Sequence, residues 1–445
     1  MEVQVESAGG LLRRLHVTIP ADRFEREIGE RIKRFASRAR VPGFRPGKAP
    51  LKVIQQQYGA DARNDAVSEL VRTTWPQALD QVKIQPASQP SFEVKAEAVG
   101  QPLTYVASFD VYPDITLGDL STLKLTRPQV EVTDADVERL IENLRKSRRT
   151  LAAVERGAQK GDVVALDFEG KLDGEAFQGG KSENAAIEIG ERRFLPDLED
   201  GLLGHSAGET FDVEVNFPAD YRNETLAGKK TVFTVNLKEV REPRLPEIDE
   251  EFLKAHGIEE GGEAGLRAKC REALETERNK AVNNRLKREV MDQLFDLHPI
   301  DVPAGLVAEE VERMRAETAN RIGANNPAQK MKPEQLRAML PAEMFEPAAK
   351  RRVALGLLVG EVINARNVQF DPARVEKALA NIAADFEDPS EVITMYQQRQ
   401  DLMQGLRSVV IEEQVVELLV AGAQVTDESM SLEDLLKSQN QAQPA

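Results

Sequence analysis

GDVVALDFEGKLDG (161–174), AAIEIG (185–190), FLPDLEDGLLG (194–204), ETFDVEVNF (209–217) and KTVFTVNLKEV (230–240) decide how the middle of this chain folds. Four of the five alternate apolar and polar residues with a period of two, the mark of strands with one face buried and one wet. Gly-Asp at 161–162 and Asp-Gly at 173–174 supply the turns between them. FLPDLEDGLLG breaks the alternation and reads as a single short helix. The stretch is therefore a compact α+β unit that ends near Val240.

The texture changes on both sides. Upstream, LLRRLHVTIP (11–20) alternates like a strand, and ADRFEREIGERIKRFASRAR (21–40) spaces Phe24, Ile28, Ile32 and Phe35 along one helical face. VPGFRPGKAP (41–50), with three prolines and two glycines, stops that helix, and a second starts near Pro50 and runs towards WPQAL. SFEVKAE (91–97) and LTYVASFDV (103–111) read as paired strands. Residues 114–150 form a connector with a helix at TDADVERLIENLRKSRR, N-capped by Thr133 or Asp134. Downstream, REPRLPEIDE (241–250) reads as a proline-broken linker. Helical pattern then takes over, and eight of the nine methionines lie there. The expected architecture is multidomain α+β: an N-terminal α+β domain (1–113), the connector (114–150), a central α+β domain (151–245) and a large all-α C-terminal domain (246–432). A polar tail (433–445) is expected to be disordered.

Composition bounds the function. The 445 residues carry a net charge of −16, which makes the chain a poor general binder of nucleic acid, because phosphate repels it. The single cysteine, Cys270, excludes an intramolecular disulfide and makes thiolate zinc a poor reading. MEVQVESAGG has neither the basic nor the apolar part of a signal peptide. The longest apolar run, VALGLLVG (353–360), is too short to span a bilayer. A cytoplasmic location with no membrane partner is expected.

Between Arg31 and Lys48 lie seven basic residues (Arg31, Lys33, Arg34, Arg38, Arg40, Arg45, Lys48) and no acidic one. The stretch ends where prolines and glycines expose Phe44 beside Arg45, a pairing suited to apolar anchoring with phosphate or carboxylate contact. GFRPGKAP resembles the GFRxGxxP ribosome-docking signature of the trigger factor family of bacterial chaperones, with matches at Gly43, Phe44, Arg45, Gly47 and Pro50. Pro46 stands where many members carry lysine, and Lys48 and Arg40 are the residues that can supply the missing charge.

The central domain resembles FKBP-type prolyl isomerases. DFEG, DGEAFQGG, IEIGERRFLPDLEDGLLGHSAGE, FPADY and VFTVNLKEV match that family in order and spacing. The resemblance places Phe168, Phe177, Tyr221 and Phe233 as the walls of a proline pocket, Phe194, Leu195 and Leu198 as its floor, and Leu226 in its lining. Gln178 stands where the family often has Asp, Ala185 where an aromatic often precedes the IEIG-like strand, and Leu198 where many members carry Trp or Phe. These departures point to a shallower pocket with modest activity.

Other motifs fail on context. GHSAG (204–208) matches the GxSxG nucleophile elbow, which needs a strand before it and a helix after it; here a helix precedes and a strand follows. His16, His205, His256 and His298 are dispersed, so no metal site is expected. Cys270 lies in a helical stretch and reads as structural. Neither a P-loop nor a dinucleotide fingerprint is present, so neither cofactor nor ATP dependence is expected.

The C-terminal helices carry no sharp motif. A plain helical bundle accounts for their amphipathic pattern, and methionine-rich surface would also suit varied unfolded chains. The resemblance to trigger factor implies the second: a ribosome-associated, ATP-independent chaperone that holds nascent and unfolded polypeptides and isomerises prolyl bonds. It further implies docking on the large ribosomal subunit near the exit tunnel, through ribosomal protein and rRNA, and allows a homodimer off the ribosome. Two other readings stay open on the residues alone: a prolyl isomerase with no ribosomal role, and an assembly factor whose FKBP-like domain is inactive.

Overall fold

Leu15, Val17 and Ile19 alternate with polar neighbours along strand β2 (Leu12–Ile19), and all three are fully buried. The computed structural model describes residues 1–38, 44, 49–96, 98, 100–192, 194–218, 221, 223, 225–325, 331–384, 386 and 388–441. These fall into two compact units, Met1–Arg127 with Asn283–Glu428, and Pro128–Val282 with Ser429–Ala445.

In the first unit, β1 (Glu2–Ser7), β2, β3 (Ser91–Ala96) and β4 (Leu103–Asp110) form an antiparallel sheet in the order β1-β2-β4-β3. Helix α1 (Ala21–Arg38) buries Phe24 against this sheet and Ile32 against helix α2 (Leu51–Val82). The stacked rings of Phe35 and Tyr58, 5.8 Å apart, extend the α1–α2 seam. Within the core the buried Thr74 hydroxyl donates to Leu70 O at 2.6 Å, and the Tyr105 phenol lies 2.9 Å from it, so the polar atoms are paired.

The central sheet belongs to the second unit. Strands β6 (Thr150–Ala153), β7 (Val163–Leu172), β8 (Glu175–Glu188), β9 (Thr210–Asn216) and β10 (Lys230–Arg244) pair in the order β6-β10-β7-β8, with β9 on the other part of β10. Helix α4 (Pro196–Gly201) closes one face over a core that includes Val164, Leu166, Ile187, Leu198, Val215 and Val235. Residues 241–244, read as linker, instead continue β10 and pair with β6. Pro243 is tolerated there because this end of β10 pairs with the short β6 at the rim of the sheet.

The connector is also more ordered than its sequence pattern implied. Strand β5 (Lys124–Gln129) leads to helix α3 (Asp134–Ser147), whose N-cap is Thr133; the Asp136 side chain returns the bond as a capping box. In the same unit α3, helix α5 (Glu250–Ala255) and the start of helix α6 (Gly262–Leu297) enclose a small core. Cys270 is buried in it, and burial pushes its thiol pKa up.

Helix α13 (Leu432–Gln441) contributes Leu432 and Leu435 to that core. This corrects the expectation of a disordered tail from 433. Burying each leucine contributes about 1.5–3 kcal/mol, and the Ser431 side chain caps the helix through the Asp434 N–H, so a polar tail is pinned by its first turn. Residues 442–445 lie outside the described residues.

The helical part of the first unit runs through helices α7 (Ala304–Asn325), α8 (Pro333–Met339), α9 (Glu346–Arg366), α10 (Pro372–Ala383), α11 (Pro389–Gln398) and α12 (Gln400–Gly422). Val307, Val311 and Ala349 form one core cluster and Val375, Leu379, Leu406 and Val410 another, and Leu294, Leu358, Val362, Val415 and Leu419 are buried as well. The C-terminal region is not purely helical, since strand β11 (Gln424–Ser429) pairs with β5. The Asp110 carboxylate, at the end of β4, accepts from the Gly305 N–H at 2.7 Å and so caps α7 from the neighbouring sheet.

Candidate functional site

Three strands bring the expected pocket aromatics together. Phe168 on β7 and Phe233 on β10 lie two registers apart on the same face of adjacent strands, with ring centroids at 5.8 Å. Phe177 on β8 meets Phe233 edge-on at 6.0 Å. Phe194, in the loop before α4, stands edge-on to Phe168 at 6.4 Å. These are the T-shaped arrangements that ring quadrupoles favour.

Glycines make the arrangement possible. A Cβ on Gly170 would lie 2.7 Å from the Phe233 ring and 2.8 Å from the Phe177 ring. On Gly180 it would lie 2.7 Å from Phe177. Two strand positions thus lack side chains because the Phe177 ring lies over them.

Burial separates a base from a rim. Phe233, Leu198 and Leu226 are buried at the base. Phe168, Phe177 and Leu195 are half-buried against the same core. Phe194 and Tyr221 are 39% and 38% exposed. Phe194, expected in the floor, is therefore at the rim, because its backbone belongs to a loop that climbs towards α4.

The reading from sequence omitted Phe217. It directly follows β9, is buried, and lies 4.6 Å from Tyr221, 6.3 Å from Phe177 and 6.5 Å from Phe233. The signal was in FPADY, where the eye goes to the tyrosine and the first residue passes for a strand end. The Phe217 N–H donates to Lys229 O, and the Gly228 N–H to Pro218 O, which closes the loop that carries Tyr221 and Leu226.

None of the eight expected pocket residues is a His, Cys, Lys, Asp or Glu. Asp167, next to Phe168, points to the opposite face by strand alternation. There the Lys238 ammonium at 2.6 Å and the Asn184 N–H hold its carboxyl below the usual range. Ala185 is half-buried against the core, and nothing is described of the Gln178 side chain. GHSAG forms the turn between α4 and β9, with its backbone paired to Ala158. The His205 ring stacks on Phe211 at 3.5 Å and bonds Glu209, away from any nucleophile geometry. Among the described residues no group of three or more His, Cys, Asp or Glu could hold a metal ion. No described helix is long and apolar enough to cross a membrane.

Of the expected docking residues, Phe44 is exposed and Pro50 sits at the N-cap position of α2. Gly43, Arg45, Pro46, Gly47 and Lys48 lie outside the described residues. Lys33 and Arg34 are exposed on α1, whereas Arg31 pairs with Glu27 at 3.1 Å and Glu69 at 3.5 Å, an internal role.

Comparison with known proteins covers almost the whole chain. Residues 1–144 match the family model "Bacterial trigger factor protein (TF)", 154–238 "FKBP-type peptidyl-prolyl cis-trans isomerase", and 264–421 "Bacterial trigger factor protein (TF) C-terminus". The trigger factor of Thioalkalivibrio sulfidiphilus is 43% identical over 436 residues, 98% of each chain. That of Pseudomonas aeruginosa is 40% identical over 445 residues, all of both chains. A solved structure described as "Promiscuous Substrate Recognition in Folding and Assembly Activities of the Trigger Factor Chaperone" is 22% identical, covering 95% of this chain and 99% of that one with a TM-score of 0.46.

Proposed function

Since this chain belongs to the trigger factor family, we propose that Phe168, Phe177, Phe194, Leu195, Leu198, Tyr221, Leu226 and Phe233, joined by Phe217, form its isomerase site. The protein is a chaperone with FKBP-type peptidyl-prolyl cis-trans isomerase activity. The observation that carries the site is the meeting of Phe168, Phe177 and Phe217 around Phe233, below the exposed rings of Phe194 and Tyr221.

The chemistry follows from that lining. Rotation about a peptide bond must cross about 18–20 kcal/mol set by amide resonance. At the top of the barrier the amide has lost resonance and much of its polarity. An apolar, aromatic cavity therefore holds the twisted form better than the planar, hydrated one. No bond is made or broken, so neither nucleophile nor base is required. Replacing Tyr221 with alanine removes a rim wall without opening the core. A short-peptide isomerisation assay should record a marked loss, and parent-like activity would refute the assignment.

The Gly43–Pro50 segment, with Phe44 and Arg45 at its centre, is the proposed ribosome contact. Its partner would be the large subunit near the exit tunnel, with nascent chains then passing to the helices. Exposed Phe44, with exposed Lys33 and Arg34 on α1, supports this reading. Phe44→Ala, Arg45→Ala and Pro46→Ala together should abolish co-sedimentation with ribosomes and spare peptide isomerisation. Binding of the parent should weaken with salt, since part of it is charge pairing. Unchanged co-sedimentation of the triple variant would overturn it. A cytoplasmic location, a dimer off the ribosome, and domain limits at 113, 150 and 245 belong to the same proposal.

A further inference from the structure

Glu199 lies on α4 and is only 2% exposed, an unusual burial for a carboxylate. One oxygen, Oε2, accepts the Gly190 N–H at 2.9 Å and the Arg192 N–H at 3.0 Å; the other, Oε1, accepts the Phe194 N–H at 3.0 Å. The Gly190, Arg192 and Phe194 amides thereby converge on a single side chain. The backbone at these positions would not hold its path unaided: Gly190 has φ +102°, and Arg192, which has a Cβ, has φ +53°. A left-handed non-glycine residue costs about 1–2 kcal/mol. Bonds from a buried anion to backbone N–H groups are the strong kind and can offset that cost.

The loop ends at the isomerase rim. Phe194 stands against Phe168, and the Leu195 carbonyl accepts from the Leu198 and Glu199 N–H groups, which ties the loop to the first turn of α4. We propose that Glu199 is a positioning residue for prolyl isomerisation: its carboxylate holds the backbone at Gly190, Arg192 and Phe194 so that the Phe194 ring stands against Phe168 and Leu195 packs on the same core. This rests on the pocket reading above. Glu199 touches no substrate in this role; it acts through the loop. Both oxygens are needed. A glutamine has one acceptor oxygen, and its NH₂ would confront either the Phe194 N–H or the Gly190 and Arg192 pair, donor against donor.

The test uses the full chain with Glu199→Gln, nearly the same shape as the parent. Three quantities are measured: kcat and KM on a short prolyl peptide, amide hydrogen exchange, and the thermal melt. The expected result is a fall in kcat of roughly ten- to a hundredfold, with KM little changed, because a displaced wall costs rate more than contact area. The Gly190, Arg192 and Phe194 amides should exchange faster, while those of Leu166 and Val235 in the sheet stay protected. Parent-like kcat with a loosened loop overturns the proposal, as does uniform loss of protection through the sheet, which marks a merely structural acid.

Should the glutamine variant melt as a whole, Glu199→Asp carries the test. It keeps the charge and both oxygens, withdrawn by one methylene, and should show an intermediate kcat. Parent-like kcat with faster loop exchange would again overturn the role. Tyr221→Ala run alongside separates the two readings. If it loses rate and the Glu199 variants do not, only the positioning role fails. If it keeps the parent rate, the pocket assignment fails, and a loss confined to the Glu199 variants still supports a loop-borne site.

Discussion

In the isomerase domain Phe233, Leu198 and Leu226 are buried, and Phe194 and Tyr221 break the surface only at the rim of one aromatic cluster. Along α7–α12 Met339 and Met344 are 69% and 71% exposed, and Phe370, Phe386, Met395 and Val409 are also exposed. The first region has rings fixed by glycines and a closed loop; the second has flexible side chains on helix surfaces. Lowering a rotational barrier needs walls that do not move, since misplacement costs rate. Holding many different unfolded chains needs side chains that do, and methionine supplies them.

The hardest test of this contrast is to cut the regions apart. A fragment of residues 150–245 keeps β6 paired to the end of β10 and contains the whole central core, so it should fold alone and isomerise short peptides like the parent. On a proline-limited unfolded protein it should be slower by roughly a hundredfold or more, since it no longer holds the client at high effective concentration. Equal refolding rates would show that the helices bind no client.

Within the fixed region, Tyr221→Ala should lower short-peptide kcat/KM about tenfold, or about 1.4 kcal/mol of transition-state stabilisation. The loss should be smaller on unfolded proteins, which the helices still hold nearby. Within the adaptable region, Met339→Ser with Met344→Ser should weaken capture of an unfolded protein by a few-fold and leave peptide isomerisation unchanged. An equal loss in both assays would erase the distinction.

The smallest effects are those of pH. Activity should be nearly flat across neutrality, because no general acid or base titrates in the pocket. A steep dependence near neutrality, or loss of activity in Ser206→Ala, would reopen the mechanism. Stability should respond in acid through Asp162. Asp162 is buried, which by itself raises its pKa, but the Arg156 guanidinium at 2.6 and 3.0 Å and the Gln159 N–H outweigh burial and hold it below the ordinary 3.8. A folded value below the unfolded one contributes stability above the unfolded pKa, and that contribution is lost as pH falls through the folded one. Asp162→Asn should lose about 1–3 kcal/mol at neutrality and flatten the acid limb of a denaturation series.

Period-two alternation marks β2, β4, β7, β9 and β10 in the sequence, because a half-buried strand leaves that pattern in its residues. Helix α1 was legible for the matching reason, its four apolar positions on one face. The misreadings share a cause. Residues 241–244 looked like linker because Pro243 disfavours a strand, yet β6 gave this stretch a partner. The tail looked disordered because its composition is polar, yet Leu432 and Leu435 reach a core built by α3, α5 and α6. Arg31 looked available for docking until Glu69, distant in sequence, lay beside it.

What the sequence determined by itself was local: strand and helix periods, a start of α3 at Thr133 or Asp134, and the ordered motifs 161–240 and 43–50 whose family resemblance the comparisons bore out. What only the tertiary structure decided were the relations among distant residues. These include the ring of Phe177 laid over Gly170 and Gly180, Phe217 inside the aromatic cluster, Phe194 at its rim, and a buried Glu199 holding the loop that carries it. The physical reason is that periodicity reports which face of one element avoids water, whereas a pocket depends on which faces of several elements meet.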